Sequence, residues 1–253
     1  MNSYKSSAEL KGIAKEQLFG KYGAIIGPSL VLGLITLILS FGPGLVVGTN
    51  TVPQLILYFL ISFIVSLFAG IFTSGKAFLY LKLTCGQPVS VSDIFYGFQT
   101  YPDKALLIQL VLSVVTYVCM IPQMIFNLLI NYSQNMVAIL FASLFTVIGS
   151  AVMIFLMLML SQSFYLLQDF PQYSAKDLMK MSCRMMKGHK GRLFYINVSF
   201  LPLYFLGFFS CCIAFLWLNP YMEMVRVNFY MDLMKNRNSV NLEKQPAGRE
   251  TLQ

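Results

Sequence analysis

The chain has 253 residues, of which 57% are hydrophobic and only 11% are charged, and its mean hydropathy is +0.68. These values lie outside the usual composition of soluble domains, so most of the chain must face lipid or other apolar helices. The net charge of +8 would suggest a nucleic-acid partner in a soluble protein, but cytoplasmic loops of membrane proteins are also rich in Lys and Arg. We therefore predict anionic membrane lipids, and not nucleic acid, as partners.

The residue types that metal sites and hydrolase sites require are scarce. The five cysteines are odd in number and form neither a Cys-x-x-Cys motif nor a Cys/His cluster, and His189 is the only histidine. A multi-histidine metal site is therefore excluded, and a Ser/His/Asp hydrolase would depend on this single base. We expect no structural metal, no cofactor and no enzymatic activity.

The first predicted element is an amphipathic helix over residues 7–20. Ser6 and Glu9 have the spacing of a capping box, and apolar residues recur behind them at helical intervals. We expect this helix to lie on the membrane surface and to lead into the first span.

Four long and almost uncharged stretches follow, and each is long enough to cross a bilayer as a helix. They cover residues 22–41, 54–81, 105–130 and 136–167. Gly42, Pro43 and Gly44 predict a turn after the first stretch, and Pro122 predicts a kink in the third. Lys76 is the only charged residue in these stretches, and we expect its amine to extend to the inner interface.

Two of these stretches carry small residues at four-residue intervals. The rows are Ser62, Ser66, Gly70 and Ser74 on the second stretch, and Ala138, Ala142, Thr146 and Ser150 on the fourth. Such rows let helices approach closely and form hydrogen bonds across the contact. We interpret them as packing surfaces within one subunit.

Two further helices are predicted at the membrane surface. One is short and contains Phe95 and Phe98; the other follows Ser174, which has the position of an N-cap, and covers residues 175–187. The second helix has an apolar face and a basic stripe, which is the pattern of a helix bound to anionic headgroups. The apolar residues are Leu178, Met181 and Met185, and the basic residues are Lys176, Lys180, Arg184 and Lys187.

The last apolar region, residues 193–218, allows two topologies. It could be a single fifth span, or the chain could turn near residues 210–212 and return as a sixth helix through residues 220–235. With six spans, all 18 Lys and Arg residues fall on the inner side or in inner helix halves, as the positive-inside rule requires. We therefore favour six spans with both termini cytoplasmic, and keep five as the alternative.

These elements predict an all-α, polytopic membrane helix bundle with amphipathic surface helices. Residues 1–236 are expected to form a single membrane domain in the cytoplasmic membrane. The tail at residues 237–253 is polar and contains Pro246 and Gly248, so we expect it to be a disordered cytoplasmic segment.

Glu223 and Arg226 form the most informative polar pair, because they lie three residues apart in the proposed sixth helix. Ionisable groups at membrane depth are costly, so they indicate function by default. A self-neutralising pair near the inner interface is the interpretation that we favour, and a pair facing a substrate cavity is the alternative.

Several motifs resemble a bacterial integral-membrane family, the domain-of-unknown-function family 975. The chain carries S-C-R-M-M-K-G-H-K from Ser182, W-L-N-P-Y from Trp217, F-Y-M-D-L from Phe229 and D-I-F-Y-G-F from Asp93. The likeness covers nearly the whole chain. It supports a membrane protein, and it brings no activity and no functional residues.

Two functions are compatible with these observations. The first is a non-enzymatic accessory or interaction component of the cytoplasmic membrane, with a membrane protein as a partner. The alternative is a small carrier for a lipid or amphiphilic substrate, with Glu223 and Arg226 facing a cavity.

Overall fold

A computed structural model describes residues 4–47, 51–132, 135–210 and 213–243. Within these residues the fold is all-α and contains no strand, which confirms the predicted fold class. The helices are α1 (Ser7–Leu18), α2 (Tyr22–Val46), α3 (Val52–Thr84), α4 (Tyr96–Gln99), α5 (Pro102–Tyr132), α6 (Met136–Leu160), α7 (Ser163–Asp169), α8 (Ala175–Met185), α9 (Lys190–Val198), α10 (Leu201–Phe209) and α11 (Phe215–Glu243). A 3₁₀ helix, Val91–Phe95, precedes α4.

Five segments of the described chain are long and apolar enough to cross a membrane, so the protein is a multi-pass membrane protein. They are Tyr22–Val46, Pro53–Thr84, Pro102–Asn127, Met136–Asp169 and Lys190–Phe209. The predicted turn at Gly42 to Gly44 is wrong, because α2 continues through Pro43 to Val46. Membrane helices tolerate Pro and Gly more readily than soluble helices do.

The last apolar region turns back on itself, as the six-span topology requires. α10 ends at Phe209, and α11 begins at Phe215. The Phe215 ring lies against Gly207 and 5.8 Å from the ring of Tyr204, so the two helices form a hairpin. α11 is less apolar than the five candidate spans, so the number of apolar spans matches the five-span alternative. Cys211 and Cys212, at the predicted turn, lie outside the described residues.

The backbone of α11 continues to Glu243, which places the first part of the predicted tail in this helix. The rest of that tail, residues 244–253, lies outside the described residues.

The buried core lies at the end of the bundle that carries the Lys and Arg residues. It combines α1, the C-terminal half of α3, the start of α5, and helices α7, α8, α9 and α11, with Ile25 of α2 and Ile94 of the 3₁₀ helix. Leu10, Ala14 and Leu18 of α1 are fully buried, and α1 packs against α11. The apolar face of α1 therefore packs against protein, and its position at the membrane surface stays a prediction.

The small-residue row of α3 packs against α5, as predicted. Ser66 Oγ lies 3.0 Å from Ser113 Oγ, and a side chain at Gly70 would clash with Gln109 and approach the Ala105 carbonyl. The row on α3 therefore belongs to a helix contact within one subunit. On α6, Ala142 of the predicted row is buried but Ser150 is exposed, and the close approach to Cys119 and Pro122 of α5 is made by Gly149, which lies outside the row.

Candidate functional site

Three charged side chains from α3 and α11 meet inside the bundle. The Lys76 amine donates to Glu223 Oε1 at 3.0 Å, and Arg226 Nη1 donates to the same oxygen at 2.9 Å. We call Lys76, Glu223 and Arg226 the charged triad. On its other edge, Arg226 donates from Nε and Nη2 to Asn197 Oδ1 of α9, each at 3.3 Å.

The helices explain how these groups come together. Glu223 and Arg226 are an i,i+3 pair, so they share one face of α11. Lys76 lies two turns before the end of α3, which packs against α11 in the buried core. The predicted Glu223–Arg226 pair is thus present, and Lys76 pairs with the same carboxylate.

The triad carries more positive than negative charge. Two cations and one carboxylate leave one net positive charge, and both cations contact the same carboxylate oxygen. The side chains of Lys76 and Arg226 are 34% and 37% exposed, whereas that of Glu223 is 15% exposed. The cations are therefore the accessible part of the triad.

One cavity beside the triad has a volume of about 400 Å³, and we call it the α6 cavity. Helices α3, α6, α7, α9 and α11 line it, and most of its wall is apolar. The α6 side chains in this wall are Met153, Ile154, Met157 and Leu158. Methionine side chains are flexible and polarisable, so such a wall adapts to apolar ligands of different shapes.

A second cavity, of about 430 Å³, lies between α2, α3, α10 and α11, and we call it the α2 cavity. Its wall is richer in hydroxyl and amide groups. These belong to Ser29, Thr36, Ser40, Tyr80, Tyr204 and Asn219. The Ser29 and Tyr80 hydroxyls lie 3.3 Å apart and bind one another. Lys76, Glu223 and Arg226 line both cavities, so the triad forms a wall that the two cavities share.

The family model described as Protein of unknown function (DUF975) matches residues 1–237. The chain belongs to this family. No curated protein and no solved structure matches it. The family supplies no activity, so the functional argument rests on the geometry of the site.

The predicted headgroup-binding stripe lies elsewhere in the fold. Its four cations are exposed and line neither of these two cavities: Lys176, Lys180 and Arg184 lie on α8, and Lys187 follows the end of this helix at Met185. None of them forms an ion pair with a residue that the structure describes. Leu178 and Met185 are buried in the protein core, so α8 is held by protein contacts, and its exposed side carries the basic residues together with Asp177.

Metal-binding groups are not clustered in the described part of the chain, where no three His, Cys, Asp or Glu residues lie close enough to hold an ion. His189 precedes α9, and its ring lies 4.4 Å from that of Tyr4. Partial burial lowers the pKa of His189 below its ordinary value of 6.5; Arg192 lowers it further, and Asp232 opposes the shift.

The sequence predicted the pair of Glu223 and Arg226, but it predicted neither the hydrogen bonds from Arg226 to Asn197 nor the ion pair between Lys76 and Glu223. Lys76 had one visible signal, because it was the only charge in the four long apolar stretches. No sequence pattern predicts either cavity, since each is lined by several helices that are distant in sequence.

Proposed function

We propose that the protein binds a lipid or other amphiphile inside the helix bundle and carries it within the cytoplasmic membrane, without chemical change to the ligand. The observation that carries this proposal is the pair of cavities that share the charged triad. Apolar walls suit a hydrocarbon tail, and the triad suits a polar head.

The size and position of the cavities support this function. Binding sites for small molecules are mostly apolar clefts of roughly 300 to 1,000 Å³ with a few polar groups, and both cavities fit that description. Ile154 lines the α6 cavity and is 43% exposed on the outer face of α6. The cavity wall is therefore continuous with the apolar surface of the bundle, from which a lipid tail could enter.

The charge distribution supports an orientation with both termini cytoplasmic. The connections between α2 and α3, between α5 and α6, and between α10 and α11 contain no Lys or Arg, which is typical of the outer side. In this orientation the basic stripe of α8 lies on the cytoplasmic side, where anionic headgroups attract cations. We propose those lipids as its partners.

Filling the α6 cavity tests the carrier function. We expect Met157→Trp to slow the movement of a fluorescent phospholipid between leaflets of reconstituted vesicles by about tenfold, because the indole would occupy the tail site. Val147→Trp is the matched control, since Val147 lies on the same helix, is 67% exposed and lines neither cavity. Equal lipid movement in wild type, both variants and protein-free vesicles would refute the carrier.

The accessory role is the second candidate, and the surface of α6 favours it. Leu140, Phe141, Leu144, Phe145 and Val147 are all more than half exposed on this helix, and its most extensive helix contact is with α5. Such a face could pack against another membrane protein. Native mass spectrometry of gently extracted protein discriminates the two functions: a stoichiometric protein partner supports the accessory role, and a retained amphiphile without a partner supports the carrier.

A further inference from the structure

We propose that the ligand of this site is an amphiphile whose head carries one negative charge, with the head at the charged triad and the tail in the α6 cavity. The inference rests on the proposed function and names its substrate class. Two classes of amphiphile have a monoanionic head next to an apolar tail: in one the head is a carboxylate, and in the other it is a phosphodiester.

Charge balance is the first argument. The triad has one positive charge in excess, and its two cations share a single oxygen of Glu223. Charge inside an apolar environment is costly unless it is paired, so a bound anion would complete two ion pairs at this position. Guanidinium and ammonium groups both form strong, charge-assisted hydrogen bonds with carboxylate and phosphate.

Accessibility is the second argument. More than a third of the Arg226 side chain and 34% of the Lys76 side chain remain exposed, while Glu223 is largely covered. A ligand in either cavity therefore meets the cations before the carboxylate. A cationic or neutral head would leave the excess positive charge unpaired.

The walls of the two cavities indicate where the tail lies. Both walls carry hydroxyl and amide groups, but the α2 cavity has more polar surface, and the α6 cavity has more apolar surface, to which Met153, Met157 and Leu158 contribute. The triad lines both cavities, so a head bound to the triad can leave its tail in the α6 cavity, against the methionines.

Glu223 competes with such a ligand, because it occupies the donors that the ligand needs. Removing its charge should free Lys76 and Arg226 and should tighten the binding of an anion. Removing either cation should weaken binding. Opposite effects of substitutions within one ion-paired cluster are the signature of an anion site, since a cluster that only held the helices together would weaken in every case.

The test measures the affinity of the detergent-solubilised protein for palmitate, lysophosphatidylglycerol and lysophosphatidylcholine. The first two are monoanionic and separate a carboxylate from a phosphodiester, and the third is zwitterionic. We expect at least one anionic probe to bind about tenfold or more tightly than lysophosphatidylcholine. Lys76→Met and Arg226→Met should abolish this preference, and Glu223→Gln should strengthen it several-fold.

Lys82→Met is the matched control. Lys82 lies on the same helix as Lys76 and pairs with Asp93 at 3.0 Å, but it lines neither cavity. Its loss should leave the preference for anions unchanged. Equal affinity for all three probes, or weaker anion binding by Glu223→Gln in a folded protein, would overturn the anion site and leave the carrier in place. Absence of binding by any probe, together with equal lipid movement in wild type, Met157→Trp and protein-free vesicles, would overturn both.

Discussion

At the scale of single residues, two glycines set how closely α3 approaches the segment before α5. A side chain at Gly75 would overlap the carbonyl oxygen of Ile94, and one at Gly97 would overlap that of Ile71. Each glycine therefore allows a backbone contact that no larger residue permits. Since Gly75 immediately precedes Lys76, the same contact also fixes where the triad lysine lies.

We expect Gly75→Ala to destabilise the protein by about 1 to 3 kcal/mol, because backbone must move to accept the methyl group. Gly23→Ala is the control, since Gly23 lies on α2 with no atom near the position of an added side chain. Thermal unfolding in detergent measures both variants. Equal melting temperatures for Gly75→Ala and wild type would show that the contact is looser than the geometry indicates.

Single residues also show what the sequence could and could not predict about the site. Glu223 and Arg226 were predictable as a pair, because three residues separate neighbours on one helix face. Lys76 lies 147 residues from Glu223, and no local pattern relates two positions so far apart. The site therefore needed the tertiary structure.

At the scale of elements, α1 shows why an amphipathic pattern does not identify its environment. The capping box of Ser6 and Glu9 and the apolar spacing were both correct predictions. The same spacing of apolar residues, however, is compatible both with burial in lipid and with burial against protein. In the fold, Gln17 accepts a hydrogen bond from Asn228 of α11 at 2.7 Å, so the helix is held by polar contacts as well.

The segment before α1 is held by α9 and α11. Arg192 donates to the carbonyl of Lys5 and pairs with Asp232 at 2.6 Å, and the Tyr4 ring packs on His189. His189 thus lies in a contact between three elements, close to a guanidinium. Partial burial disfavours the protonated ring, and protonation would also place a second cation beside Arg192, so both effects lower the pKa of His189.

This contact predicts an acid-sensitive stability. The folded-state pKa of His189 lies below the ordinary value of 6.5, so the unfolded chain takes up its proton first as the pH falls. Stability should decline through the window just below pH 6.5 and level off beneath the folded-state pKa. Melting temperatures between about pH 8 and 5 measure this decline, which should be shallower in His189→Asn. An identical decline in the variant would assign the effect to carboxylates instead.

At the scale of the whole molecule, the middle of α11 is enclosed by protein. Val225, Val227 and Phe229 are fully buried, and Asn228 and Asp232 are almost fully buried. A helix surrounded by other helices does not need a lipid-compatible surface, which is why hydropathy alone does not count it among the spans. The distribution of Lys and Arg along the sequence predicted that the chain returns as this helix, whereas the hydropathy of the helix is too low to predict a span.

Residues at the two ends of α3 can test how the protein is oriented in the membrane. This helix runs from Val52 to Thr84, which at about 1.5 Å per residue is long enough to cross a bilayer. Cys85 caps one end and is exposed, and Thr51 caps the other end and is also exposed. If the basic end of the bundle is cytoplasmic, these two positions face opposite sides of the membrane.

A variant in which Ser replaces every cysteine except Cys85 should react with a membrane-impermeant maleimide only after the cells are permeabilised. A second variant that lacks all native cysteines and carries Thr51→Cys should react in intact cells, because its thiol faces the outside. The reverse pattern would place both termini outside, against the positive-inside rule. Labelling of both positions from the same side would mean that α3 does not cross the membrane. The expected pattern would fix the basic stripe of α8 and the core-forming end of the bundle on the cytoplasmic side.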